Sequence, residues 1–388
     1  MDYMTAGESH GPQLTGILTG VPAGLHLDID AINAQLAARQ GGYGRGSRQK
    51  IEHDTVQILG GVRHSITMGG PIALVVANRD HGHWGEIMSP TAPETAENTV
   101  RQVTRPRPGH ADLVGGQKYG HHDMRNVLER SSARETAMRV AIGAICKQLL
   151  AAVGIAIVGY VDQVGAIAGP DEKPLDVAAI TAAIQTNDLR MLTDETVDQI
   201  HTLIDETRRE GNTLGGIVRV VATGVPAGLG SYTSWDQKLD AKIAAAVMGI
   251  NAMKGVEIGD GFAAATSKGD DVMDEIDWHE DDGFSRMSDH LGGFEGGMTN
   301  GMPVVVRAAM KPIPTLYKAL QSVDVATKEV SKANVERSDT TAIVPASIVV
   351  ESAVAFELAR ALTDTFDDSR LARLQQQVAA YRDEFRNF

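Results

Sequence analysis

Thr19-Gly-Val-Pro-Ala-Gly-Leu25 recurs letter for letter as Thr223-Gly-Val-Pro-Ala-Gly-Leu229, and this pair of heptapeptides decides the reading of the fold. Before each copy runs an alternating stretch, Leu14 to Leu18 and Ile217 to Val221, whose period of two predicts a strand. After each copy the apolar spacing turns helical, over Ile29 to Arg39 and over Leu239 to Ile250. Two further strand-like runs follow each helix: Val56 to Val62 with Pro71 to Ala77, and Val256 to Ala264 with Pro303 to Ala308. Each half therefore reads β-α-β-β. Two antiparallel sheets related by a pseudo-twofold are the simplest architecture, an α+β fold rather than a doubly wound sheet. The copies lie much too far apart for a solenoid, whose repeats run to about 20–50 residues.

Working outward, the first half covers about residues 1–140 and the second about 211–345 of one domain spanning 1–388. Between them a helix starts at Ser132, where Ser132-x-x-Glu135 has capping-box spacing, and continues through Ala137, Ala141, Ala144 and Ile145, small residues that let other elements come close. A polar helical insertion over about 171–210, with Val197, Ile200, Leu203 and Ile204 as its buried stripe, is expected to decorate the surface. Eight acidic residues between Gly269 and Gly283 predict a solvated loop inserted into the second repeat. Residues 346–388 read as C-terminal helices.

A hydrophobic content of 43% with 22% charged residues is that of a folded globular chain. The opening MDYMTAGESHGPQ has neither the basic start nor the apolar stretch of a signal peptide, so a cytoplasmic location is expected. The longest apolar run, Leu149 to Val161, is broken by Gly154 and Gly159 and is too short for a bilayer, which needs about 20 residues; it reads as a helix end and a buried strand. The lone Cys146, among Ile142, Ala144 and Ile145, reads as a small buried thiol. A net charge of −14 opposes nucleic acid and anionic membranes at long range, so clusters of arginine point to a small anionic ligand.

Arg39, Arg45, Arg48 and Lys50 surround Gly41, Gly42, Gly44 and Gly46, a glycine-rich loop whose guanidinium forks suit phosphate and carboxylate. A helix precedes that loop where a dinucleotide fingerprint needs a strand. In Arg101-Gln-Val-Thr-Arg-Pro-Arg-Pro-Gly-His110 two prolines stiffen the chain and place His110, a group fit for proton transfer, beside arginines. Arg130-Ser131-Ser132 at a helix start reads either as an anion site or as simple N-capping. Lys311-Pro-Ile-Pro-Thr315 is a stiff strand exit carrying a cation, and Arg337 two residues before Asp339 is placed to hold that carboxylate ionised as a base. Gly7-Glu-Ser-His-Gly11 has the nucleophile-elbow pattern around Ser9, but only eight residues precede it, so a histidine presented to a ligand is the favoured reading. His81, His83, His121, His122 and Asp123 lack a matching ligand set, and no metal is expected.

At these residues the sequence resembles the chorismate synthase family, over essentially its whole length. The resemblance rests on AGESHGP, RPGHADLVGGQKYG, RNVLERSSARETAMRVA, GGFEGGMTNGMPVVVRAAMKPIPT and VERSD, in that order. It implies a protomer in which antiparallel sheets sandwich a helical core, assembled as a homotetramer. It also implies reduced FMN as cofactor and anti-elimination of phosphate from 5-enolpyruvylshikimate 3-phosphate, giving chorismate without net redox change. By motif position His10 resembles the acid that protonates the phosphate, His110 the proton partner of the reduced flavin, and Asp339 the carboxylate that helps take the substrate proton through the flavin. The flavin positions implied are Arg130, Ser131, Ser132, Asn251, Ala252, Gly296, Lys311, Pro312, Ile313, Pro314, Thr315 and Arg337. Arg39, Arg45 and Arg48 resemble anion binders, with Arg39 and Arg45 ascribed in some members to NADPH. Asp289 stands where the family often has asparagine, adding negative charge near a flavin loop, and Thr340 stands where proline is common. The rival readings are an NADPH-dependent flavin reductase, a phosphosugar-binding module, and a hydrolase built on Ser9.

Overall fold

The same three hydrogen bonds hold both heptapeptides. Gly24 N donates to Thr67 O (2.9 Å), Leu25 N to Thr67 Oγ1 (2.9 Å), and that hydroxyl donates to Pro22 O (2.6 Å). In the second copy Gly228 N and Leu229 N donate to Thr299 at 2.7 and 2.9 Å, and its hydroxyl donates to Pro226 O at 2.6 Å. Gly24 and Gly228 sit at φ of 92° and 86°, where a side chain would be strained, so the motif's second glycine is fixed by backbone geometry. The computed structural model describes residues 1–46, 53–92, 94–95, 99–170, 175–281 and 283–388.

The first half contributes β1 (Asp2–Ala6), β2 (Gln13–Thr19), α1 (Ile29–Gln40), β3 (Val56–Gly60), β4 (Ile72–Ala77) and α2 (Thr136–Ala152). The second contributes β5 (Ala156–Val164), β6 (Gly216–Thr223), α3 (Leu239–Met248), β7 (Met253–Ile258), β8 (Val304–Met310) and α4 (Ile343–Thr365), after which α5 (Leu371–Arg386) ends the chain. One sheet has the order β1-β2-β4-β3 and the other β5-β6-β8-β7, every neighbour antiparallel, with Ile167–Ala168 extending the second beyond β5. The orders correspond strand for strand. The repeated unit is therefore larger than the β-α-β-β read from sequence: a strand precedes it and a long helix follows it in both halves.

Helices α2 and α4 lie between the sheets, α2 against β2 and β4, and α4 against β5 and β6, with α1 and α3 beside them. Both are buried nearly all round, so neither shows a clean amphipathic stripe. Their close approach explains the small residues: a Cβ on Gly143 would lie 2.4 Å from Ser352 Cβ. The fold is α+β with antiparallel sheets enclosing helices, as expected. Cys146 is buried there, its thiol pushed up to about 12 by burial, and residues Leu149 to Val161 are the end of α2 and the start of β5. Among the described residues no helix is long and apolar enough to cross a membrane.

Two expectations change. The strand expected to Ala264 ends at Ile258, because Gly259 and Gly261 turn the chain at φ of 59° and 52° into a short 3-10 segment, Gly261–Thr266. The acidic stretch is not a plain loop: it holds a helical turn, Gly269–Val272, and a hairpin, Ile276–His279 with Gly283–Arg286. One of its acids, Asp274, is buried and accepts from Ser288 Oγ (2.6 Å), His290 N (2.8 Å) and Leu291 N (3.0 Å), which closes the excursion on itself.

Candidate active site

The exits of β4 and β8 and the first turns of α2 and α4 border a cavity of about 970 Å³. That is near the top of the range for small-molecule sites, about 300–1,000 Å³, and leaves room for a cofactor with a substrate. His10 reaches it from Gly7–Pro12, the connection between β1 and β2. A buried polar chain pins this loop. Asn78 Nδ2 donates to Glu8 O (3.0 Å) and Gly11 O (2.8 Å), Arg134 Nε donates to Asn78 Oδ1 (2.9 Å), and Arg134 Nη1 meets both oxygens of Asp54 (2.7 and 2.6 Å). Ser9 thus belongs to a hairpin connection and not to the strand-to-helix turn of a nucleophile elbow.

Both candidate histidines are anchored through Nδ1 by a buried carboxylate. His10 Nδ1 donates to Glu129 at 2.8 Å, and its ring stacks on Trp84 with centroids 3.9 Å apart. Glu129 is held below its ordinary range: burial works against this, but the His10 hydrogen bond and the Arg125 charge outweigh it. His110 Nδ1 donates to Asp112 Oδ1 at 2.7 Å. Burial would raise the Asp112 carboxyl, yet hydrogen bonds from His110 and Arg107 hold it far below the usual range. Arg107 spans the site, from Asp112 Oδ2 (2.8 Å) to Thr315 Oγ1 (2.7 Å). In each histidine the nitrogen not engaged by the carboxylate is Nε2; that of His110 lies 3.5 Å from Arg107 Nη2.

The cavity wall is cationic in a protein of net charge −14. Arg45 Nη1 lies 2.6 Å from Asp339 Oδ2, and Gly46 N donates to Asp339 Oδ1 (2.6 Å). Arg45, not Arg337, is therefore the cation that holds Asp339; Arg337 instead reaches Asp80 Oδ2 at 2.6 Å. Arg45 Nε is buried without a partner, and among the described residues Arg101 and Arg105 pair with no carboxylate. Arg39, also on the cavity wall, donates from its guanidinium to Ala133 O (2.8 Å) and Thr136 Oγ1 (3.0 Å), and burial pulls it down to about 10. The insertion packs on the glycine-rich segment that carries Arg45: Tyr43 Oη donates to Asp205 (3.0 Å) and its ring stacks on His201.

His10, His110, Asp339, Arg39, Arg45, Ser131, Ser132, Asn251, Ala252, Lys311, Ile313, Pro314, Thr315 and Arg337 all line the one cavity. Arg130, Gly296 and Pro312 do not line it; Arg130 instead donates to Thr5 O (2.8 Å) and Gly7 O (3.2 Å). Arg48 lies outside the described residues. The lining combines apolar Ile250, Met310, Ile313, Pro314 and Val349 with the Ser131 and Ser132 hydroxyls and Arg337, a set of groups that fits a flat ring carrying a phosphate. Glu129, Asp112, Trp84 and Arg134 escaped the sequence reading. Asp112 had a local signal, two residues from His110, whereas Glu129 is 119 positions from His10.

A family model described as chorismate synthase matches residues 1–363. The chain is 71% identical over 388 residues to a chorismate synthase of Lactiplantibacillus plantarum and 66% identical over 388 residues to one of Limosilactobacillus fermentum, with 100% of each chain covered in both cases. A solved structure described as a crystal structure of chorismate synthase is similar at a TM-score of 0.81 and 39% identity, over 100% of this chain and 98% of that one.

Proposed function

Since the chain belongs to the chorismate synthase family, we propose that it is a lyase that eliminates phosphate from 5-enolpyruvylshikimate 3-phosphate to give chorismate, with reduced FMN bound. The observation that carries this reading is one cationic cavity whose wall brings together His10 and His110, each anchored at Nδ1 by a carboxylate. A phosphate with two carboxylates suits Arg101 and Arg105, which pair with no carboxylate among the described residues, and the Nε of Arg45, unpartnered among them. His10 gives its Nε2 proton to the departing phosphate as the carbon–oxygen bond breaks. His110 and Asp339 stand ready for the remaining proton transfers, His110 steadied by Asp112 and Asp339 by Arg45.

Ser131, Ser132, Asn251, Ala252, Lys311, Ile313, Pro314, Thr315 and Arg337 would hold the flavin, on the wall where apolar and polar groups meet. Reduced FMN, when bound, supplies an electron-rich ring at the reacting carbons. A homotetramer is supported by the outer face of the first sheet, where Met4 is 74%, Ile17 45% and Leu59 66% exposed, uncovered by any described residue. Arg130 and Gly296, which lie off the cavity within one chain, would meet the flavin only in such an assembly or after rearrangement. The proposed setting is the cytoplasm.

The test is an anaerobic assay with dithionite-reduced FMN and 5-enolpyruvylshikimate 3-phosphate, following phosphate release and the absorbance of the new diene. Product formed only with reduced flavin is expected. Folded, FMN-binding protein that forms none would refute the reading. Replacing dithionite by NADPH with oxidised FMN asks whether the chain reduces its own flavin, and NADPH consumed in step with product would favour the reductase alternative.

A further inference from the structure

We propose that Glu129 is the positioning residue of His10, fixing the ring so that Nε2 alone carries the exchangeable proton toward the cavity; this rests on the elimination reading above. Three contacts hold the imidazole. Nδ1 lies 2.8 and 3.0 Å from the two Glu129 oxygens, and the His10 amide donates to Glu129 Oε2 at 2.8 Å, so one carboxylate grips ring and backbone together. The ring face rests on Trp84, which also carries the Arg101 guanidinium at 3.9 Å from its centroid. On the far side Nε2 lies 3.9 Å from Asp80 Oδ2, itself engaged by Arg337.

A carboxylate only accepts, so Nδ1 keeps its hydrogen in both charge states of the ring, and the tautomer is decided. When the substrate's carbon–oxygen bond breaks, its electron pair leaves on phosphate and the Nε2 proton moves to that oxygen. The neutral ring left behind still donates from Nδ1 to Glu129. The groups facing His10 are Glu129 and Trp84, with Asp80 opposite, and behind them Arg125, which lies 3.3 Å from Glu129, and Arg337. The competing explanation is that Glu129 merely neutralises buried Arg125. Arg125 has a second carboxylate, Glu336 at 3.0 Å, so that need is already met in part.

The experiment compares wild type, Glu129→Gln, Glu129→Asp, His10→Ala and the Glu129→Gln/His10→Ala pair in the anaerobic assay, with FMN affinity read by fluorescence. General acids contribute about 100- to 10,000-fold, so Glu129→Gln should lower kcat by about 100-fold with KM and FMN affinity little changed. The pair should be no slower than His10→Ala alone. A Glu129→Gln kcat within threefold of wild type, or losses that multiply in the pair, would overturn the proposal. Should Glu129→Gln fail to fold, Glu129→Asp keeps the charge near Arg125 and must show lowered kcat at unchanged FMN affinity; wild-type kcat in that variant also overturns it. Inactive wild-type protein is a different failure, of the elimination reading itself, and takes the positioning role with it.

Discussion

Replacing Asp289 by asparagine should make the protein more stable, and increasingly so as pH rises. Both carboxylate oxygens of Asp289 are buried, and among the described residues neither makes a hydrogen bond of ordinary geometry. Burial, with the charges of Asp274 and Asp260, pushes the carboxyl up to about 7 from 3.8, against the opposing pull of the Gly293 amide and His290. The folded state thus holds a proton that the unfolded chain has already released. Stability linked to this group is complete below about pH 4 and is lost as pH climbs through about 7. About three pH units at 1.36 kcal/mol each would give about 4 kcal/mol; since part of the side chain still meets water, about 2 kcal/mol is the better figure. Asparagine never ionises, so Asp289→Asn should gain about 2 kcal/mol at pH 8, more than half of it appearing between pH 5 and pH 8. The assay is thermal unfolding of both proteins at one concentration across that range, because assembly makes melting concentration-dependent. A melting difference that stays flat from pH 5 to pH 8, or an asparagine variant less stable at pH 8, would refute the reasoning.

Asp112→Asn should cut kcat by about 10- to 100-fold through loss of the His110 anchor, measured in the anaerobic assay with FMN affinity as control. Gly143→Val forces a side chain into Ser352 and should cost about 1–3 kcal/mol, seen in unfolding, while kcat of the folded fraction stays at the wild-type value. Thr67→Ala and Thr299→Ala each remove the hydroxyl that ties a heptapeptide and should cost about 1–2 kcal/mol apiece; clearly unequal losses would count against equivalent roles.

The sequence shows the sheets' inner strands because Leu14 to Leu18 and Ile217 to Val221 alternate and because the glycines of the heptapeptide are demanded by backbone geometry. It hides β1 and β5 as partners: Asp2–Ala6 (DYMTA) does not alternate apolar and polar residues although its exposure alternates, and β5 is a nearly continuous buried run. The likeness of α2 and α4 is equally hidden, since helices buried on every side need only small and apolar residues, which many sequences supply. In the site, arginines on glycine- and proline-rich segments are legible because they stand out from an acidic chain. Their partners are not. Proximity in sequence points to Arg337 as the partner of Asp339, but the fold gives it Arg45 and sends Arg337 to Asp80, and tertiary placement alone decides such pairs.

The two hairpin connections that correspond across the halves differ in length and burden. Gly7–Pro12 joins β1 to β2 and carries His10, whereas residues 165–215 join β5 to β6. Insertions are tolerated most readily where no cavity-lining residue is displaced, and the described residues among 165–215 supply none to the cavity lining. Descendants of such a chain should accumulate insertions and deletions in the β5–β6 connection while the β1–β2 connection keeps its length, so the ancestral symmetry erodes from one side only.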